Sequence, residues 1–471
     1  MTTSNEQKED TMPNFKKLAK NYEDLAVKAL GEFVRKKSVY DEATIAPGAP
    51  YGAGVKSALD FIAALGREYG FAVDTCEGHA TELSFGDGKG PLVGIYAHAD
   101  VVPVSGTWKE DPFSGKIVKD AKGKQMMISR GSSDDKGPLI ASLMAIKLLK
   151  DNGMLNDSFR VRLVAGGDEE RGSSCLHHYF HKLNKAPSDY GFTPDADFPL
   201  IYAEKGIYHG ELRRHIDLAP VIAIDGGVVA NAVCDRMLVT LPLDDKFIAA
   251  HKGNPDVEIS ILGQAMLVAF KGKTSHGSLP EKGRSAAILG FEILGNFYKI
   301  AYLANLAKVL SDPFGAGFAG QETSKELGKN TYNYGIVKYE NRKNLLSLTL
   351  DFRFGEQANP DECVAKLAKA ADLEVVINSK APILFYDKKS PLVATLMKSY
   401  RRMTHKLFDK PMAIGGGTYA KEAANCVAYG GVFPERPGDI HSPNEYIYLD
   451  DLKACIAIYA DAIYSLGQLG R

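Results

Sequence analysis

At ~150 residues per domain, a chain of 471 residues has room for two or three compact units, which excludes a small scaffold held together by disulfides. Hydrophobic residues make up 45% and charged residues 24%, an ordinary globular balance that excludes a disordered or fibrous chain. Lys plus Arg number 57 against 58 Asp plus Glu, a net charge of −1, so no basic excess points to nucleic acid or an anionic membrane, and a small-molecule ligand is expected.

The longest stretch without a charged side chain, Ala43–Val55, contains two prolines and is shorter than the ~18 apolar residues of a membrane span. The first ten residues are polar and acidic where a signal peptide would be basic and then apolar, so a cytoplasmic address is expected. Cys76, Cys175, Cys234, Cys363, Cys426 and Cys455 are scattered without C-x-x-C pairing, which argues for reduced thiols rather than a disulfide framework or a cysteine-built zinc site.

Phe15 to Lys36 and Val55 to Tyr69 carry apolar residues at helical spacing. Pro91 to Ala97 and Phe159 to Ala165 are short apolar runs rich in Val, Ile and Leu, the signature of buried strands, and Pro138 to Lys150 between them has the stripe of a helix packed on a sheet. Strand, helix, strand predicts an α/β unit, whose functional side chains gather at the carboxyl ends of the strands. From about Gly206 the texture changes to short strands at Gly210–Arg214, Val221–Ile224, Met237–Leu241, Val257–Leu262, Ala265–Phe270 and Leu345–Phe354, with one long helical stretch at Ser285–Leu310. Helical spacing resumes at Pro391–Tyr400 and Leu449–Leu469. A catalytic domain split by an inserted α+β domain is the expected organisation.

His98 and Asp100 follow the first strand, and Asp168, Glu169 and Glu170 the second. Three adjacent acids repel one another unless cations neutralise them, although a solvated acidic turn reads equally well. Asp134 and Asp135 lie just before a helix, where capping alone would explain an Asp. With Asp195, Asp197 and His441 they make an inventory of His and carboxylates without Cys, suited to Zn, Mn or Co and common in hydrolytic sites. Gly315-x-Gly317-x-x-Gly320 lacks the preceding strand of a dinucleotide site, and Gly272-Lys273-Thr274 has Leu267 where a phosphate loop needs glycine.

Taken in order, His98-x-Asp100, Ser133-Asp134-Asp135-Lys136-Gly137, Asp168-Glu169-Glu170, Pro194-Asp195-Ala-Asp197 and the late His441 resemble the dinuclear-metal aminoacylase/carboxypeptidase family of peptidases over nearly the whole chain. More narrowly, Gly131–Pro138, Pro194–Pro199, Gly415–Tyr419 and Leu449–Tyr464 resemble the PepV-type bacterial dipeptidases. The resemblance implies a zinc-peptidase-like α/β catalytic domain with a mixed sheet flanked by helices, residues 1–205 and 386–471, interrupted by an α+β lid domain, residues 206–385.

It also implies two divalent ions, zinc first, with manganese and cobalt fitting the same ligands. Asp134 would bridge them, His98 and Asp195 completing one site and Glu170 and His441 the other. The peptide after Asp134 would be cis, Asp100 would hold the His98 ring, and Glu169 would be the general base. In the insert, the resemblance makes His276 a donor to the oxyanion and Arg353 the grip on a substrate carboxylate, with Asn231 assisting both. A turn histidine and a strand-face ion pair are the plain readings of His276 and Arg353. The implied activity is hydrolysis of dipeptides with a free amino terminus by a monomer. A deacylase, desuccinylase or carboxypeptidase could use the same centre, whereas a non-catalytic peptide-binding relative would show gaps in the ligand set. The lysine-rich stretch Lys116–Lys124 has no assigned place.

Overall fold

The computed structural model describes residues 12–469 apart from 87, 89 and 156–158. The polar opening decapeptide therefore lies outside the described residues. The chain divides into two compact units: one runs to Tyr202 and takes up Tyr386–Met412 and the residues from Thr418, and the other holds Ala203–Phe385 with Ala413–Gly417.

The first unit is built on a mixed sheet whose strands stand in the order Ala72–Asp74, Ala80–Phe85, Arg160–Gly166, Leu92–His98, Tyr190–Thr193 and Cys426–Ala428. Leu92–His98 runs parallel to both neighbours and Tyr190–Thr193 parallel to Cys426–Ala428, while the Ala80–Phe85 edge is antiparallel. The central strands are almost wholly buried, Leu92–His98 through its unbroken apolar run and Arg160–Gly166 although it carries Arg160 and Arg162. Alternation decides what each face meets. Thr81 and Leu83 face helix Ala53–Glu68: the Thr81 hydroxyl donates to Leu59 O, and a Cβ on Gly66 would strike Leu83. Glu82 and Arg162 point the other way, towards Tyr179, whose hydroxyl donates to Glu82 at 2.5 Å. Helix Lys136–Asp151, nearly all buried, packs against the closing helix Leu449–Gly467 and on the central strands.

The lysine-rich stretch forms a hairpin, Lys116–Lys119 with Gln125–Ile128, and Tyr446–Tyr448 completes a three-stranded antiparallel sheet with it.

The second unit is a nine-stranded antiparallel sheet, from Val257–Leu262 at one edge to Glu374–Ala381 at the other, with helices Ala286–Phe297, Ala301–Leu310 and Pro360–Ala371. Strand Arg236–Pro242 buries Met237, Val239 and Leu241 in a core that includes Phe270, Phe291, Leu294 and Leu306. Each such side chain contributes ~1.5–3 kcal/mol when fully buried. The single helix expected over Ser285–Leu310 is instead a helical hairpin. Lys299 takes a left-handed φ of 59° and breaks the stretch, and the two arms pack closely at Gly295, where a Cβ would lie 2.4 Å from Ala304 N.

Among the described residues no helix is long and apolar enough to cross a membrane. All six cysteines are buried thiols.

Candidate metal centre

Three neighbouring parallel strands deliver their carboxyl ends to one place. His98 is the last residue of Leu92–His98, Asp168–Glu170 follows Arg160–Gly166, and Asp195 follows Tyr190–Thr193. Parallel strands present their ends on the same edge, which is why residues nearly a hundred positions apart can meet. Asp134 comes from the turn before helix Lys136–Asp151, and His441 from the loop leading to strand Tyr446–Tyr448.

The capping reading of the Asp pair does not hold. Asp135 is the N-cap residue, but its side chain makes no capping bond; Oδ2 accepts the His98 backbone N–H at 3.1 Å. The Asp134–Asp135 peptide is cis.

Asp134 stands between two groups of side chains. Its Oδ1 lies 2.9 Å from His98 Nε2, which is 3.7 Å from Asp195 Oδ2. Its Oδ2 lies 2.9 Å from His441 Nε2, which is 3.1 Å from Glu170 Oε2. His98 is fully buried, Asp134 nearly so, and the His441 side chain is half exposed. All five sequence-chosen ligands therefore converge. Asp100 acts through more atoms than expected. Its carbonyl oxygen is 3.1 Å from His98 Nδ1, with its carboxylate slightly farther from that nitrogen at 3.4 Å. That carboxylate accepts the backbone N–H groups of Glu169 and Glu170.

The electrostatics ask for cations. Burial, and then the charge of Asp195, push the Glu169 carboxyl well above its ordinary value. Burial and then Asp134 push Asp195 up to about 7 and also raise Glu170. Among the described residues no Lys or Arg pairs with Asp100, Asp134, Glu169, Glu170 or Asp195; only the two histidines do. Donor atoms of His98, Asp134 and Glu170 lie within 4.8 Å of one another, as do those of His98, Glu169 and Asp195. Oxygen and imidazole donors at this density fit a pair of borderline divalent ions.

The second unit gathers the other three candidates. Ala232 and His276 form a β-bridge, and Gly277 N donates to Asn231 O at 2.6 Å. Nδ1 of His276 accepts the Ser278 backbone N–H at 3.2 Å, so the neutral ring carries its proton on Nε2. Arg353 makes the strand-face ion pair: Nε and Nη2 donate to Asp351 at 2.6 and 3.1 Å. Asp351 also lies close to Gly277, and Asn333 holds the segment around Asn231 by donating to Ala230 O and Ala232 O. Asn333 had no sequence signal, because its partners Ala230 and Ala232 are remote in the chain.

Comparison with known proteins gives the family and the fold. Residues 94–465 match the model of peptidase family M20/M25/M40. The chain is 33% identical over 465 residues to "Putative dipeptidase YtjP" of Bacillus subtilis, covering 95% of this chain and 98% of that one. It is 31% identical over 480 residues to "Putative dipeptidase MW1694" of Staphylococcus aureus, covering 96% and 99%. In fold it is similar to the M20 family metallo-carboxypeptidase Sso-CP2 from Sulfolobus solfataricus, with a TM-score of 0.58 at 20% identity over 94% of this chain and 99% of that one. It is likewise similar to the di-peptidase Dug1p from Saccharomyces cerevisiae, with a TM-score of 0.60 at 13% identity over 97% and 98%.

Proposed function

Because this chain belongs to peptidase family M20/M25/M40 and is a hydrolase of that family, we propose that it is a zinc-dependent dipeptidase of the PepV type, cleaving dipeptides with a free amino terminus. The observation that carries the reading is Asp134, whose two carboxylate oxygens face separate His and carboxylate groups. His98 and Asp195 would hold one ion, Glu170 and His441 the other, and Asp134 both. Bound there, divalent ions would acidify a water molecule and polarise the scissile carbonyl.

The chain's own residues do the rest. Glu169 takes the proton of the attacking water on a carboxylate oxygen and returns it to the leaving amine nitrogen, a role suited to a carboxylate whose affinity for a proton is raised by burial. Asp100 orients that side chain through the Glu169 backbone N–H. His276 donates from Nε2 to the oxyanion. Arg353 keeps N–H groups beyond those given to Asp351 for a substrate carboxylate, and Asn231 assists both. Residues 206–385 would serve as the lid.

The relatives named as putative dipeptidases support a dipeptide substrate over an N-acyl amino acid. A panel of free dipeptides, tripeptides and N-acylated amino acids tests it with metal-reconstituted protein. Selective turnover of dipeptides is expected; preference for acylated amino acids or longer peptides overturns the assignment. We extend the reading to a cytoplasmic protein, in keeping with six buried free thiols, and to a monomer; a stable dimer in light scattering would contradict the latter.

A further inference from the structure

Glu445 is fully buried four residues after His441, and its carboxylate collects four donors. Oε1 accepts the backbone N–H groups of Ser133 and Asp134 at 2.9 and 3.2 Å. Oε2 accepts Gly131 N at 3.0 Å and Arg130 Nη1 at 2.7 Å. Its own carbonyl accepts Ser129 N at 3.0 Å, and the next residue's carbonyl accepts the Ser133 hydroxyl at 2.7 Å. A buried carboxylate with this many partners fixes backbone as firmly as a short stretch of sheet does. Arg130 is itself buried, with its guanidinium 5.3 Å from the Trp108 ring, so the ion pair has no exposed side through which to relax.

We propose that Glu445 is a positioning residue that locks the Gly131–Asp134 backbone to the His441 loop and so presets the place of the Asp134 carboxylate between His98 and His441. It rests on the metal-centre reading given above, but on no particular substrate. The lysine-rich hairpin gains a purpose through it: Gln125–Ile128 pairs with Tyr446–Tyr448 and holds the strand that begins directly after Glu445. Supporting groups of this kind typically change metal affinity or activity ~10–100-fold when removed.

The test compares wild type, Glu445→Gln and Glu445→Asp as chelator-stripped protein titrated with zinc in the presence of a chromophoric competitor. Because Glu445→Gln strands a buried Arg130, an Arg130→Gln/Glu445→Gln double variant is titrated beside it. Zinc affinity should fall at least tenfold in Glu445→Gln and in the double variant, and recover in part in Glu445→Asp. At saturating zinc kcat should fall while KM stays within twofold. Amide exchange in metal-free wild type gives a readout that needs no variant: the Gly131, Ser133 and Asp134 amides should be strongly protected. Wild-type zinc affinity in either folded Gln variant, or rapid exchange at those amides, overturns the proposal. The zinc titration and the amide exchange do not depend on peptide hydrolysis, so a failed dipeptide assay would count against the proposed substrate and leave this inference standing.

Discussion

The Asp100 carboxylate holds Glu169 by its backbone: Oδ1 accepts the Glu169 N–H at 3.1 Å while Oδ2 accepts that of Glu170 at 3.2 Å. One side chain therefore sets the direction of both acids that follow strand Arg160–Gly166. Asp100→Asn turns one acceptor into a donor facing an N–H. We expect ~1–3 kcal/mol of lost stability and a ~10–100-fold loss of kcat, measured by thermal unfolding and steady-state kinetics. Unchanged kcat would show that the orientation of Glu169 does not depend on Asp100.

Glu169 is the proposed proton carrier. Glu169→Gln keeps the shape of the side chain and removes the base, so kcat should fall ~10²–10⁴-fold while metal content stays at the wild-type level. Full turnover in the metal-loaded variant would remove Glu169 from the mechanism.

Gly295 tests the helical hairpin of the second unit. Alanine would gain ~1 kcal/mol of helix propensity, but its Cβ would stand 2.4 Å from the Ala304 backbone nitrogen. Overpacking of this kind costs ~1–3 kcal/mol, so Gly295→Ala should be destabilising on balance in urea unfolding. A stabilised variant would mean the two helices are free to separate.

Lys205 gives a pH signature. Burial pushes its amine down to about 8 from 10.5, with the charge of Glu281 acting the other way and that of Arg353 adding to the fall. Between those values the unfolded chain holds more protons than the folded one, so this residue's contribution to stability rises with pH from about 8 to 10.5. Relative to Lys205→Met, wild type should gain in Tm between pH 7 and pH 10. A difference that does not move with pH would show that the amine is solvated.

Much of the fold could be read from the sequence because its signals are local. The apolar runs that end at His98 and Gly166 mark buried parallel strands, and an acid or histidine directly after such a run has few places to be but the sheet's carboxyl edge. Asp195 is legible through its Pro194–Asp197 motif and His441 through the order of the ligand set, not through periodicity. Glu445 lies only four residues after His441, yet nothing local separates a buried carboxylate holding four donors from a solvated one. The break at Lys299 was hidden for a similar reason: the left-handed turn is selected by the packing of the two helices it joins, at Gly295 and Ala304, rather than by a glycine or proline at the break. Arg353 shows the reverse case, since its ion pair with Asp351 two residues earlier is written in the alternation of a single strand.

Metal stoichiometry of the stripped and reloaded chain tests the central claim most directly, with hydrolysis of a dipeptide followed on the same samples. Two divalent ions should bind per wild-type chain, Asp134→Asn should lose at least one of them, and hydrolysis should vanish on stripping and return on reloading. Hydrolysis that survives complete removal of metal, or an Asp134→Asn variant that still binds both ions as tightly as wild type, would contradict it.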